Sequence, residues 1–207
     1  MTFQGIPAAA FDFYTELTFD NSRDFWLANA ERYRNTVREP LEALMAELED
    51  EFGTAKIFRP NRDVRFSNDK TPYKTHQGAY VATLEATGFY LQLDGDGVLV
   101  GGGWYRADPD RLAAIRSHLD EDGSALRTIL DALAKDGWER GGDQIKTSPR
   151  GWPSDHPMID LLRYKTLFVS RRYSADPVLH TADFADLVRT DWRALRPMLG
   201  WLEQVPG

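Results

Sequence analysis

The feature that most restricts the fold is a short stretch in the middle of the chain, Asp94-Gly95-Asp96-Gly97, set between the strand-like runs Phe89–Leu93 and Val98–Trp104. A glycine-rich connection this short returns the chain directly on itself, so the two runs must pair antiparallel as a hairpin. Two further runs have strand character. Ile57–Phe66 contains Pro60, which has no N–H for a ladder and marks an edge or bulged strand. Lys165–Tyr173 is the other.

Helical patterns lie before and after these strands. Pro7 suits a first helical position, and Phe11, Tyr14 and Leu17 share one face of a helix over residues 7–18. Asn21-Ser22 can cap a second helix whose stripe runs Trp26, Ala30, Tyr33 and Val37. Pro40 should kink or restart it before Leu41, Leu44, Met45, Leu48 and Phe52 continue the stripe. Asp108-Pro109 opens another helix through Leu119, and Ser124–Asp136 reads as a separate one stopped by Gly137. A short helix near Met158–Leu162 and a final one from Thr181 to Leu202 complete the pattern. Strands gathered mid-chain with helices on either side predict an α+β fold. Its expected form is a mostly antiparallel central sheet covered by helices from the N- and C-terminal parts of the chain.

At 207 residues the chain can bury one substantial core, and no linker-like or repeated segment divides it, so residues 1–207 read as a single domain. There is no cysteine, which removes disulfides, thiolate catalysis and cysteine-held metals. The N-terminus lacks the pattern of a signal peptide and no run approaches the roughly 18 apolar residues of a membrane span, so a cytoplasmic location is expected. His76, His118, His156 and His180 are scattered without metal-ligand spacing, and no cofactor is named by any motif.

The net charge of −7 disfavours nucleic acid as a partner, yet positive charge is concentrated in two segments. From Lys56 to His76, six Lys and Arg face two carboxylates; from Arg140 to Arg172, seven face three. The first contains Arg62-Asp63-Val64-Arg65-Phe66-Ser67-Asn68-Asp69-Lys70-Thr71-Pro72-Tyr73-Lys74-Thr75-His76. In an extended Arg62–Phe66, Arg62, Val64 and Phe66 would share one face and Asp63 and Arg65 the other. Arg62 and Arg65 can grip a phosphate or carboxylate with their forks, Lys70 and Lys74 can neutralise it, and Tyr73 can orient it. Asp63 would position an arginine or act as a base. Lys146, Arg150 and Lys165 would complete this pocket if the sheet brings the two segments together. A structural reading stands beside it, with Arg62, Asp63 and Arg65 forming an ion-pair ladder and the lysines merely solvated. His76 is the histidine best placed for proton transfer.

Other patterns carry less. Ser67-Asn68-Asp69-Lys70 matches a Ser-x-x-Lys acylation motif, but Pro72 and the preceding extended stretch oppose the helix such a motif requires. Gly101-Gly102-Gly103 fits no phosphate-loop spacing and points to close backbone approach in a strand. The six tryptophans read as packing anchors, with Trp104 and Tyr90 as candidates to line a pocket beside the hairpin.

The central string closely resembles the hallmark of an uncharacterised bacterial and fungal family, domain of unknown function 2461. Asn21-Ser22-Arg23-Asp24-Phe25-Trp26 is similar to the start of that family's first long helix. Gly101-Gly102-Gly103-Trp104 with Pro109, Leu112, Ile115 and Arg116 resembles its hairpin-to-helix junction. Lys146, Pro149-Arg150-Gly151, Leu161-Leu162 and Lys165 resemble its C-terminal basic block. The chain departs where members often carry a second Asn, having Asp20-Asn21-Ser22, which touches only the helix cap. The resemblance implies one domain over nearly the whole chain and no established activity. From the residues, the leading expectation is a site that binds, or acts on, a small anionic ligand. The alternative is a protein-interaction module using a basic patch.

Overall fold

A computed structural model describes residues 2–63, 65, 69–174 and 176–206. The fold is α+β, with an antiparallel six-stranded sheet and helices from both terminal parts of the chain. In chain order the elements are α1 (Ala8–Phe19), α2 (Arg23–Tyr33), α3 (Glu39–Phe52), β1 (Lys56–Ile57), β2 (His76–Leu84), β3 (Thr87–Asp94), β4 (Gly97–Trp104), α4 (Pro109–Lys135), β5 (Glu139–Gly141), α5 (Ile159–Leu162), β6 (Leu167–Tyr173) and α6 (Phe184–Glu203). The strand order is β1-β2-β3-β4-β6-β5. Among the described residues, no helix is long and apolar enough to cross a membrane.

Most expected elements form, and the exceptions have physical causes. The strand expected over Ile57–Phe66 is only Lys56–Ile57, followed by an isolated bridge between Asn61 and Tyr73. Pro60 cannot donate to a ladder, and the chain leaves the sheet there. Val64, Phe66, Ser67 and Asn68, on which the expected facing of that strand and the Ser-x-x-Lys match partly rest, lie outside the described residues. At Pro40, expected to kink or restart the helix, α3 begins with the proline in its first turn. Residues Arg34–Arg38 form a π-turn, with the Glu39 N–H reaching the Arg34 carbonyl. The widened turn absorbs the missing donor and ring bulk of proline, and the helix continues into α3. The two helices expected over 108–136 both form, and they meet within α4 at a kink where Asp122 has non-helical backbone, φ −131° and ψ 23°.

The chain divides into two compact units, each assembled from three separate segments. The first comprises Met1–Val81, Tyr90–Val100 and Arg172–Thr190. Its core contains Phe13, Leu17, Leu41, Leu44, Leu48, Val81, Leu91 and Leu93, all fully or nearly fully buried. Each such side chain contributes on the order of 1.5–3 kcal/mol of transfer free energy. The Phe13 ring packs against Tyr14, Phe25, Trp26 and Tyr33. The second unit comprises Ala82–Phe89, Gly101–Arg171 and Asp191–Gly207. Phe89 stacks on Trp192 at 5.1 Å, and Trp104 is buried with its indole N–H donating to the Lys165 carbonyl at 3.2 Å. Trp104 is therefore a core residue. Arg171 lies 4.7 Å from the Trp138 ring and pairs with the buried Asp191 at 3.1 Å. In this unit Gly103 adopts φ 155°, and a Cβ there would lie 2.2 Å from the Leu167 carbonyl oxygen. The glycine run thus serves close strand approach.

Candidate functional site

The basic segment is a loop with a rigid stem. Arg62 N–H donates to the Pro72 carbonyl and Lys74 N–H to the Pro60 carbonyl, each at 2.9 Å. Both prolines accept only, so this short antiparallel stem needs other partners. Asn21 supplies them. Its side-chain amide donates to the Tyr73 carbonyl and its side-chain oxygen accepts the Tyr73 N–H, both at 3.0 Å. Ser22, not Asn21, caps α2 by accepting the Phe25 N–H. The Tyr73 ring stacks on Trp26 at 4.2 Å and 11° and is only 7% exposed. Tyr73 anchors the stem.

The loop cations are held in different ways. Arg62 pairs with Asp69, whose carboxylate also accepts the Thr71 N–H at 2.9 Å and hydroxyl at 2.7 Å. The Thr71 bonds, with the Arg62 charge adding, hold Asp69 below the usual carboxylate range. Arg65 is 76% exposed on its side chain and forks onto Asp63 at 2.9 and 2.7 Å. Those bonds lower the Asp63 pKa and raise that of Arg65. Such an exposed pair contributes little to stability. Lys70 is exposed. Lys74 differs: its ammonium is partly buried, donates to the Arg59 carbonyl at 3.2 Å and lies 5.5 Å from the Phe58 ring. Burial pushes its pKa down, and the nearby Arg59 and Arg62 charges push in the same direction. Among the described residues, neither Lys74 nor Arg59 has a carboxylate at ion-pair distance.

Immediately after Lys74 the chain enters a cleft of about 390 Å³, lined by Thr15, Thr18, Phe19, Thr75, His76, Gln92, Asp94, Gly95 and Asp96. His76 begins β2 and is half-buried. Burial lowers its pKa first, Lys74 and Arg62 lower it further, and Asp94 pulls it back only partly. The imidazole is therefore neutral near pH 7. Tyr90, Gln92 and Asp94 alternate onto one face of β3. Burial forces the Tyr90 hydroxyl up to about 12. That hydroxyl donates to Gln92 at 3.0 Å, and Gln92 donates to Asp94 at 2.8 Å. Asp94 also accepts the Asp96 N–H at 2.9 Å and both arms of Arg172 at 2.8 and 3.0 Å. Burial would raise the Asp94 pKa, but the Arg172, Gln92 and Asp96 bonds together outweigh it and hold the carboxylate ionised. With four bonds its acceptor capacity is filled, so Asp94 shapes the wall of the cleft. At the turn, a Cβ on Gly95 would lie 2.8 Å from the Thr15 hydroxyl oxygen, so glycine lets the hairpin tip close against α1.

Of the residues expected at the site, Arg62 and Lys74 are brought together on the stem, and Asp63, Arg65 and Lys70 ride the exposed loop. Lys146, Arg150 and Lys165 belong to the second unit, where all three are exposed and, among the described residues, have no carboxylate at ion-pair distance. There the Gln144–Tyr164 bridge and the Ile145 N–H to Arg163 carbonyl bond at 2.9 Å hold the segments carrying Lys146 and Lys165 side by side. Thr15, Thr18, Gln92 and Asp94 were not among the expected residues. The alternation Tyr90-Leu91-Gln92-Leu93-Asp94 carried the signal for the last two, while α1's approach to the hairpin has none in the sequence. Among the described residues, no three His, Asp or Glu side chains are grouped to hold a metal.

A family model described as a conserved hypothetical protein, DUF2461, matches residues 9–201, and the chain belongs to that family. No curated protein matches the chain, and no solved structure does.

Proposed function

We propose that this DUF2461 protein binds a small molecule carrying a phosphate, sulfate or carboxylate group at the His76 cleft. Lys74 and Arg59 supply the charge, the Thr75 hydroxyl and the His76 ring supply hydrogen bonds, and Arg62 adds to the field while paired with Asp69. The observation that carries this reading is Lys74, a partly buried cation beside Arg59 and Arg62 that directly precedes the cleft-lining Thr75 and His76 and, among the described residues, has no carboxylate at ion-pair distance. Holding like charges together costs free energy that a bound anion would return. The cleft's size falls within the roughly 300–1,000 Å³ of small-molecule sites.

Isothermal titration with inorganic phosphate and with sulfate tests this. Lys74→Met keeps the stem and most of the side-chain bulk, and it should weaken binding by about 10–100-fold, the loss of one charge-assisted contact. Arg65→Ala should bind as the wild type does and melt within a degree or two of it. Equal binding by Lys74→Met and wild type would overturn the proposal.

A further inference from the structure

The cleft meets charge of both signs. Thr75 and His76 line it directly after Lys74, and the Lys74 and Arg62 charges both act on the His76 ring. The last turn of α1, Thr15 to Phe19, also lines it, and a helix C-terminus carries partial negative charge. Asp96 lines it as well and is exposed. An ion that filled the whole cleft would be repelled by one sign or the other. The free hydrogen-bonding capacity is neutral and mixed. The Thr15 and Thr18 hydroxyls spend their protons on the Phe11 and Tyr14 carbonyls, at 3.0 and 2.8 Å, so their oxygens face the cleft as acceptors. Gln92 uses one amide hydrogen on Asp94 and retains the other. Phe19, which also lines the cleft, is 88% exposed, with no ring contact among the described residues, on a helix that otherwise buries Phe13 and Leu17.

Donors, acceptors, an open aromatic face and a neighbouring cation together complement a hydroxylated ring with one charged substituent. Ring hydroxyls can donate to the threonine oxygens and accept from Gln92, and the apolar C–H face of a sugar can lie on the Phe19 ring. From this arrangement we infer that the ligand of the cleft is a monosaccharide-sized polyol bearing one phosphate or carboxylate, its anionic group toward Lys74 and its ring toward Phe19. This rests on the anion-binding reading above and adds the body of the ligand to it.

The test is calorimetric titration at pH 7 with glucose 6-phosphate, ribose 5-phosphate, glucuronate, unphosphorylated glucose and inorganic phosphate. At least one anionic sugar should bind tenfold or more tightly than phosphate, and glucose should bind weakly or not at all. Phe19→Ala, at an exposed position that leaves the fold intact, should abolish the preference and leave phosphate affinity unchanged. If phosphate binds but no anionic sugar exceeds it tenfold, or if Phe19→Ala keeps the full preference, the inference falls and the anion site stands. If neither phosphate nor any anionic sugar binds, both fall.

Discussion

His76 shows how one residue's setting becomes a measurable property of the fold. In the unfolded chain an imidazole takes its proton near pH 6.5. In the folded protein burial and the Lys74 charge delay that proton to lower pH. Between those two values the unfolded state holds more protons, so acidification favours unfolding and the stabilising contribution is present only above about pH 6.5. Denaturant titrations between pH 7.5 and 5.5 should show the wild type losing more stability than His76→Gln, which cannot titrate. An equal loss in both would mean that the ring protonates freely in the folded state. The sequence marked His76 as the histidine to watch, because it closes the basic string. It could not show that the ring would be neutral, since that depends on β2 carrying it beside the hairpin wall.

At the scale of elements, the loop stem illustrates both what the sequence discloses and what it hides. The hairpin around Gly95 and the capped starts of α2 and α4 are local, written in turn and cap residues a few positions apart. β2 is less legible, because its core-facing positions are Gln77, Ala79 and Val81 and do not look like a strand interior. Gln77 is tolerated there because the Tyr33 hydroxyl donates to it at 2.5 Å and its amide donates to the Phe58 and Gly78 carbonyls. Likewise Asn21 reads locally as a helix cap, but its bonds run to Tyr73, 52 residues on. No spacing rule reveals a partner at that separation. Asn21→Ala removes two hydrogen bonds from the stem while leaving the Ser22 cap in place. It should destabilise the protein by about 1–3 kcal/mol. It should also weaken phosphate binding, because the stem positions Lys74. Urea denaturation and phosphate titration of the same variant check both, and a loss of stability with unchanged phosphate affinity would show that Lys74 is held without the stem.

At the scale of the whole molecule, charge favours the proposed small anion over a polyanion. A nucleic-acid surface works by releasing several counterions at once, and its affinity falls steeply with salt. Here a net charge of −7 surrounds the basic loop, and within the loop Arg62 and Arg65 are already neutralised by Asp69 and Asp63. Beside the cleft, Lys74 has no carboxylate at ion-pair distance among the described residues, a single point of charge that suits the proposed anionic group and cannot follow a phosphate backbone. The carboxylates that do this neutralising were visible in the string from the start. Their geometry was not, because Asp63 and Asp69 could equally have turned to solvent. Fluorescence anisotropy with a labelled 20-nucleotide single strand in 150 mM salt should therefore show no saturable binding under conditions where phosphate titrates the cleft. Saturable binding of the strand, with an affinity that drops about a thousandfold or more between 50 and 200 mM salt, would instead mean that many cations act together, and the single-anion picture of the cleft would be wrong.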